Sequence, residues 1–374
     1  MAPYKDVLMG LLAGGIIGTL IVALAATTGP MLIKSELSDN QLVKKLAEAR
    51  QILTVWDILV IPLLYLIILG THEIGHLLAG LWQGMRFVML IVGPFGWHAS
   101  VSGTRFEWNT NLALMGGLAS TVPTKVGDSL RRQLLAVIAG GPIASLLLSI
   151  FAIALASVAN PRFAAYLVFV GATSFGIFLV TLIPARTGGF MTDGSQIIDV
   201  LRGGRAANER AAIIQIYAES LGGVRPRDWD ASAIEELSKC ESTDPLRSAG
   251  RSLLMLSRAM DCRNDSDIMR YRKLLENGVD HFPSGFRQSI YVELAISEWL
   301  VGETEAVREN LEASKGGIVE KSRRLLAQAA LAKLEGREAD CQRDCQLTLK
   351  ALEKASDAGM RKFTEDQLAI LQGS

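Results

Sequence analysis

The chain has 374 residues with 38 basic and 38 acidic side chains, so its formal net charge is zero. This balance, together with the lack of a long basic run, argues against a protein that binds nucleic acid by bulk electrostatic attraction. Hydrophobic residues make up 49% of the chain, and most of this excess lies before about residue 200. We therefore expect a membrane-embedded N-terminal part and a polar, helical C-terminal part.

The four cysteines all lie in the polar C-terminal part, at Cys240, Cys262, Cys341 and Cys345. Their spacing is neither that of a zinc ribbon nor that of a disulfide framework. Cys341 and Cys345 would share one face of a helix, and we interpret them as ordinary helix residues rather than metal ligands.

The first apolar run extends from Val7 to about Leu32. It could be a secretory signal peptide, because Ala23-Leu24-Ala25 resembles a cleavage site. The segment ahead of it is barely positive, however, and the run is long for the core of a signal peptide. We predict a retained transmembrane helix within residues 1–33, followed by a polar connector with amphipathic helical character at residues 34–51.

The second apolar stretch, Trp56–Trp82, is the one around which the chain is organised. As a helix it would be roughly 40 Å long, enough to cross a bilayer, and a tryptophan at each end suits the two membrane–water interfaces. Its second half contains His72, Glu73 and His76. An acidic side chain at the centre of a membrane helix costs roughly 2.5–3.5 kcal/mol, so ionisable groups at this depth are functional candidates.

In a helix, His72 and His76 lie one above the other on the same face. The pattern His-Glu-x-x-His supplies two metal ligands and a neighbouring carboxylate, that of Glu73. A catalytic zinc ion takes three protein ligands and a water, and it lowers the pKa of that water towards about 7, so that a carboxylate can accept its proton. The sequence therefore predicts one zinc ion per chain, with a third ligand from elsewhere.

Few polar residues lie at a compatible depth to supply that third ligand. Asp193 is the best candidate, because Gly188-Gly189 and Gly194 give its backbone the freedom to turn inward. Asp199 is second, and we expect it to belong to the helix that follows. Asp57 lies in the same helix as the histidines but more than three turns away, so it cannot share the metal.

Residues 84–129 contain two apolar pieces of about half the length that a spanning helix needs, separated by a segment with strand-like alternation. Such pieces are typical of strands or re-entrant loops that pack against protein at the membrane face. His98 lies here beside Trp97, and we interpret it as a structural or interfacial residue rather than a ligand.

Two further spans are expected, at about Leu134–Val158 and Ala164–Ile183. The first of them contains Ala139-Gly140-Gly141-Pro142, where small residues permit close helix approach and the proline frees a backbone carbonyl. Two interpretations stay open: a helix-packing notch, or a wall of the site where a substrate backbone could approach.

Four spans with a cytosolic N-terminus would place residues 84–132 and the C-terminal part in the cytosol. The distribution of Lys and Arg near the membrane favours this orientation. His72, Glu73 and His76 would then lie in the cytosolic half of the second span, and Asp193 would follow the cytosolic end of the fourth. All four side chains could therefore meet in one leaflet.

From about Gly204 the sequence predicts amphipathic helices separated by turns. Two segments align with Gly302 opposite Gly336, an offset of 34 residues, which is the tetratricopeptide period. This pattern indicates either a helical repeat-like domain or a plain helical bundle. No catalytic cluster is evident there, so we expect the domain to serve protein contact or regulation.

These motifs together resemble those of the site-2 protease family of intramembrane zinc metalloproteases. The resemblance rests on His72-Glu73-Ile74-Gly75-His76 within a span, Gly141-Pro142 in the next and Asp193-Gly194 after the following one, and it covers roughly residues 52–200. It implies zinc bound by the two histidines and the aspartate, with Glu73 as general base. It also implies substrates that are transmembrane proteins, cut within or beside their membrane helix.

Two features depart from the family pattern. Ser145 stands where the family often has an asparagine thought to help position the substrate, and the segment around Asp193 is not the commoner Pro-rich Leu-Asp-Gly form. Gly141, Pro142 and Ser145 are accordingly the candidates for substrate positioning.

We therefore expect an all-α polytopic membrane protein with about four transmembrane helices, a short membrane-associated strand or re-entrant region, and a soluble C-terminal α-helical, tetratricopeptide-like domain. The expected division is a first transmembrane helix (1–33), a connector (34–51), an intramembrane metalloprotease core (52–203) and a helical repeat-like domain (204–374). We expect a multi-pass protein of a bacterial cell membrane, with its C-terminal domain in the cytosol.

The expected activity is hydrolysis of peptide bonds in or near the transmembrane segments of membrane proteins, with Glu73 activating a water at the zinc ion. One alternative is a proteolytically inactive membrane adaptor that acts through its helical C-terminal domain, although the intact set of four site residues argues against it. Another is a different class of membrane zinc protease with His-Glu-x-x-His. Those with more spans typically use a downstream glutamate as third ligand, where this chain offers Asp193.

Overall fold

The computed structural model describes residues 41–110, 114–124, 126–127, 129–187, 190–239, 244–283, 285–317 and 319–373. The predicted first span, within residues 1–33, lies outside the described residues. The described part of the predicted connector is helical, in agreement with its amphipathic pattern: α1 covers Gln41–Ile52.

Three helices in the described part of the chain are long and apolar enough to cross a membrane. A 3₁₀ turn at Val55–Val60 leads into the first, and the three are α2 (Ile61–Trp82), α3 (Leu130–Val158) and α4 (Pro161–Leu182). They correspond to the second, third and fourth predicted spans. Apolar side chains such as Leu63, Leu147 and Phe163 remain exposed on them, as expected of a surface that faces lipid.

The bounds of α3 differ from the prediction. The helix begins at Leu130, four residues before the predicted start at Leu134. Arg131, Arg132 and Gln133 are good helix formers, so the helix continues past the end of the apolar stretch. The hydropathy pattern therefore marks the apolar part of α3 and not the whole helix.

Four strands between residues 85 and 123 form an antiparallel sheet, in agreement with the strand alternative of the prediction. Its strands in chain order are β1 (Met85–Val92), β2 (Phe95–Ser100), β3 (Gly103–Trp108) and β4 (Leu118–Pro123). The spatial order is β3-β2-β1-β4, so β4 lies at one edge and pairs with β1 through Leu90 opposite Ala119. The sheet brings β4 beside α2. The two elements are so close that an added Cβ at Gly80 would collide with Thr121.

Two short strands, β5 (Arg186–Thr187) and β6 (Phe190–Met191), form a hairpin after α4. Helices make up almost all of the described chain that follows. They are α5 (Asp193–Arg202), α6 (Arg205–Leu221), α7 (Ala231–Lys239), α8 (Pro245–Cys262), α9 (Asp265–Glu276), α10 (Arg287–Val301), α11 (Thr304–Ala313), α12 (Lys321–Leu334), α13 (Glu338–Leu352) and α14 (Ala358–Leu371).

Helices α10 to α13 form two helix hairpins whose helices start at matching intervals. Helices α10 and α12 begin 34 residues apart (321 minus 287), and so do α11 and α13 (338 minus 304). Gly302 ends α10 and Gly336 follows α12, both with positive φ, a conformation that glycine adopts without steric cost. The spacing agrees with the predicted offset, while a tetratricopeptide assignment stays a prediction.

A continuous apolar core joins α8 to α14, and Cys341 and Cys345 are buried in it. This placement agrees with their interpretation as ordinary helix residues. The helical region also contacts the sheet at the turn between β2 and β3, where the Val101 N–H donates to the Ala355 carbonyl at 2.9 Å.

Candidate metal centre

The two predicted histidine ligands lie on the same face of α2, one turn apart, as the i, i+4 spacing requires. Their Nε2 atoms are 3.2 Å apart. His72 is buried and His76 is nearly so. The apolar composition of α2 explains why this polar pair is shielded from solvent inside the helix bundle.

The second ring nitrogen of each histidine is held by α3. The Nδ1 of His76 lies 2.8 Å from the carbonyl oxygen of Val137, which can only accept, so Nδ1 carries the proton and Nε2 is left with a free lone pair. The Nδ1 of His72 lies 2.9 Å from the Ser145 hydroxyl, which can accept in the same way. Both rings are therefore held with Nε2 directed towards the same point, as in metal-binding histidines.

Asp193 is the first residue of α5, and its neighbour Thr192 caps this helix by accepting from the Ser195 N–H at 3.4 Å. The Asp193 carboxylate presents Oδ2 to His72 Nε2 at 3.4 Å and Oδ1 to His76 Nε2 at 3.5 Å. The structure thus brings Asp193 to a histidine pair that lies more than 100 residues earlier in the sequence.

The prediction that flexible glycines let Asp193 turn inward needs correction at Gly194. This residue is helical, and a Cβ placed there would collide with the backbone of Leu182 at the end of α4. Gly194 is therefore required for the close approach of α5 to α4, and not for freedom of the backbone.

The separations between these side chains fit a zinc ion. A tetrahedral ion with bonds of about 2.0–2.1 Å holds its ligand atoms roughly 3.3–3.4 Å apart, and the three measured separations are 3.2, 3.4 and 3.5 Å. His72, His76 and Asp193 are the one group of His, Cys, Asp and Glu side chains among the described residues that meets the geometry for holding a metal ion. Two imidazoles and one carboxylate are also a donor set that zinc prefers.

Glu73 is buried beside the predicted ligands and faces the sheet. A Cβ placed on Gly117 would lie 2.6 Å from Glu73 Oε1, and the backbone of Ala119 hydrogen-bonds the Glu73 carboxyl group. Gly117 also has a φ of 94°, which favours glycine. Apart from the Gly116-Gly117 pair in an apolar segment, no feature of the sequence indicated this contact.

The predicted substrate-positioning residues Gly141, Pro142 and Ser145 all lie on α3 and are all buried. Gly141 packs against the His76 ring, where an added Cβ would lie 2.6 Å from Cε1 and would also collide with Nε2. Ser145 is the partner of His72, a contact that sequence reasoning missed. A role of these residues towards substrate stays a prediction.

The helix-packing interpretation of the small residues fits Gly140. A Cβ there would meet the backbone oxygen of Gly75 and lie 2.7 Å from the Cβ of Ala79. Helices α2 and α3 therefore cross at close range next to the histidines, as small residues permit. This close crossing is what lets α3 reach both imidazole rings.

Other polar residues considered from the sequence lie away from this centre. Asp199 is on α5, the same helix as Asp193, and forms an ion pair with Arg247. Asp57 accepts two hydrogen bonds of 2.9 Å from Arg162 at the opposite end of the long apolar helices. His98 lies on β2, where burial lowers its pKa from the usual value.

Comparison with known proteins gave a family match for part of the chain. The model of Peptidase family M50, the site-2 protease family, matches residues 59–161 and confirms the expected resemblance. The matched segment includes His72, Glu73 and His76, while Asp193 lies beyond it. Neither the curated proteins nor the solved structures gave a match.

Proposed function

We propose that this chain is an intramembrane zinc metalloprotease, on the premise of its match to Peptidase family M50. The observation that carries the proposal is the convergence of Asp193, from outside the matched segment, on the histidine pair of α2. A catalytic zinc site needs a third ligand of suitable chemistry at ligand spacing, whereas a structural His–Glu cluster does not need one.

His72, His76 and Asp193 would hold the ion, and Glu73 is the general base. When bound, zinc supplies a Lewis acid that polarises the scissile carbonyl and acidifies a water. Glu73 stands next to the ligands and not among them, so its carboxylate is free to accept a proton from the attacking water and later to donate it to the leaving nitrogen. Its burial excludes bulk water from this transfer.

The substrate class that suits this site is the transmembrane segment of another membrane protein. The site lies in α2, which has the length and composition of a membrane span. The peptide bonds of a helix are shielded by neighbouring turns, so a substrate helix has to unwind locally before cleavage. Among the described residues, strand β4 pairs with β1 and with no other strand, and its backbone contacts Glu73. Its outer edge is therefore a place where an extended segment could form hydrogen bonds.

The proposed arrangement in the membrane is multi-pass, with residues 204–374 as a soluble domain on the cytosolic side. The distribution of basic residues supports this orientation, and the polar surface of the helices after α5 supports the solvent exposure of the domain. Its paired helix hairpins provide a surface for a protein partner, of the tetratricopeptide-like kind expected from the 34-residue offset.

The test compares cells that express the wild-type chain with cells that express Glu73→Gln or His72→Ala. Glu73→Gln keeps the size of the side chain but cannot accept a proton, so the purified variant should retain zinc while full-length substrates accumulate in the membrane proteome. His72→Ala should lose zinc and give the same accumulation. A Gln328→Ala variant, altered on the surface of α12, serves as a control for expression.

Identical membrane proteomes in the wild-type and Glu73→Gln cells, both with bound zinc, would support the inactive adaptor instead. Cleavage of the same substrates by Glu73→Gln at the wild-type rate would contradict the role of Glu73 as general base.

A further inference from the structure

Helix α5, which carries Asp193, is short and weakly restrained by the chain that follows it. It has 10 residues, and the next two residues are Gly203 and Gly204, with φ values of 65° and 73°. A pair of glycines in this conformation transmits little orientation from one helix to the next. The start of α5 is held by the hydroxyl groups of Thr192 and Ser195, which donate to the Ala185 carbonyl, and by the packing of Gly194 against Leu182. The orientation of the rest of the helix depends on further contacts.

Two of these contacts come from within the core that surrounds the site. Arg131 of α3 donates to the carbonyl oxygen of Leu201 at 2.7 Å, which places a cation at the C-terminal end of α5. Gln196 Nε2 donates to the Met191 carbonyl at 3.3 Å and so ties the middle of α5 to β6.

The remaining contacts come from the C-terminal helical region. Arg210 of α6 donates to Gln196 Oε1 at 2.9 Å. Arg247 of α8 forms an ion pair with Asp199, and both side chains are about three-quarters buried, with exposures of 23% and 25%. An ion pair that is mostly removed from solvent holds its partners more firmly than an exposed one.

The placement of Asp199 on α5 makes this ion pair effective against rotation of the helix. At about 100° per residue, six residues put Asp199 roughly 120° around the axis from Asp193 and about 9 Å along it. If α5 turned by about 20°, a carboxylate some 5 Å from the axis would move roughly 1.7 Å. Metal–ligand distances tolerate only about 0.2 Å.

We propose that Arg247 is a positioning residue for the metal centre: through Asp199 it fixes the rotation of α5 and thereby the place of the Asp193 carboxylate. The proposal rests on the proposed metal site. It makes the C-terminal helical region a structural part of that site, because α8 belongs to the core that continues to α14. A partner that moved α8 would change the metal centre without touching it.

The experiment uses the full-length protein in detergent and measures two properties of the metal centre. One is Zn²⁺ affinity by competition with a chelator, and the other is the visible absorption spectrum of the Co²⁺-substituted protein, which reports the ligand set and its symmetry. The variants are Arg247→Met, Arg247→Lys, Asp199→Asn and the charge-exchanged pair Arg247→Asp with Asp199→Arg.

A matched control is Arg272→Met. Arg272 is 21% exposed and forms an ion pair of 2.6 Å with Glu298, which joins α9 to α10. Its replacement therefore also removes a largely buried ion pair, but this pair has no contact with α5. It should lower thermal stability and leave the Co²⁺ spectrum and the Zn²⁺ affinity unchanged.

Arg247→Met and Asp199→Asn should each bind Zn²⁺ about tenfold more weakly, the effect typical of losing a group that orients a metal ligand, and should shift the Co²⁺ spectrum. Arg247→Lys and the charge-exchanged pair should recover most of the affinity. In Asp199→Asn, Arg247 still has an acidic partner, because Asp244 lies 3.7 Å away. This variant therefore provides the test if Arg247→Met fails to fold.

Wild-type affinity and spectrum in both Arg247→Met and Asp199→Asn would overturn the proposal. A loss of affinity in Arg272→Met as large as in Arg247→Met would also overturn it, because the effect would then be one of general stability. Failure of the proposed metal site is distinguishable from failure of this proposal. In that case the His72→Ala variant would bind Zn²⁺ as strongly as the wild-type chain does.

Discussion

Replacing Gly141 by alanine tests how closely α3 is fitted to the histidine pair. The added Cβ would lie 2.6 Å from Cε1 and 2.7 Å from Cδ2 of His76, where ordinary contact begins at about 3.4 Å. Because Nε2 is closer still, the imidazole must move by at least about 0.8 Å, roughly four times the tolerance of a metal–ligand distance. We expect Zn²⁺ affinity to fall about 10- to 100-fold, or roughly 1.4–2.7 kcal/mol.

The same substitution should change the stability of the zinc-free protein little. Alanine is about 1 kcal/mol more favourable than glycine inside a helix, but the His76 ring has to give up its hydrogen bond with Val137 to move, which costs a similar amount. The Zn²⁺ affinity measured by chelator competition should therefore fall while the melting temperature of the zinc-free form stays nearly the same. Gly250→Ala on α8 is the matched control, because an added Cβ there meets nothing within 4 Å.

A double-mutant cycle isolates the contact with His76. In a His76→Ala background the obstacle is gone, so Gly141→Ala should behave as an ordinary helix-stabilising change. Wild-type Zn²⁺ affinity in the single variant Gly141→Ala would refute the reasoning, since it would mean that the His76 ring does not need the space that glycine leaves.

Two further predictions concern other parts of the chain. Ser145→Ala removes the partner of His72 Nδ1 and should weaken Zn²⁺ binding about tenfold by chelator competition, whereas Ser149→Ala, one turn further along α3, should not; equal affinities would contradict the role of Ser145 in holding the ring. Burial raises the pKa of Cys345 to about 12, so at pH 8 iodoacetamide should label the exposed Cys262 and leave Cys345 unlabelled until the protein is unfolded, as peptide mass spectrometry can show. Rapid labelling of Cys345 in the folded protein would contradict its burial.

The sequence predicted the elements that depend on a local period. The apolar run between Trp56 and Trp82 is helical over most of its length, and its i, i+4 histidines share a face because 3.6 residues complete a turn. Asp193 could be singled out because few polar residues lie at that depth, and the structure places it at 3.4–3.5 Å from both imidazoles.

Contacts between distant elements could not be predicted in this way. Ser145 and His72 are 73 positions apart, and the contact of Gly117 with Glu73 depends on β4 pairing with β1 instead of continuing the β1–β2–β3 meander. Neither contact leaves a periodic signal in the sequence, because each follows from how whole elements pack.

Helix ends and interhelical ion pairs show the same limit. Hydropathy cannot locate the start of α3, since helix-forming arginines extend it beyond the apolar stretch. The pairing of Asp199 with Arg247 joins α5 to a helix 48 positions further along the chain. From the sequence, Asp199 could be ranked as a second candidate ligand, but its partner could not be identified.

The central claim is that His72, His76 and Asp193 bind one zinc ion. The most direct measurement is the zinc content of the purified full-length chain, combined with X-ray absorption at the zinc edge, for the wild type and Asp193→Ala. The account predicts one zinc per wild-type chain, with nitrogen and oxygen ligands at about 2.0–2.2 Å, and loss or marked weakening of binding in the variant. A wild-type chain without zinc, or an Asp193→Ala variant with the wild-type zinc content and ligand distances, would contradict it.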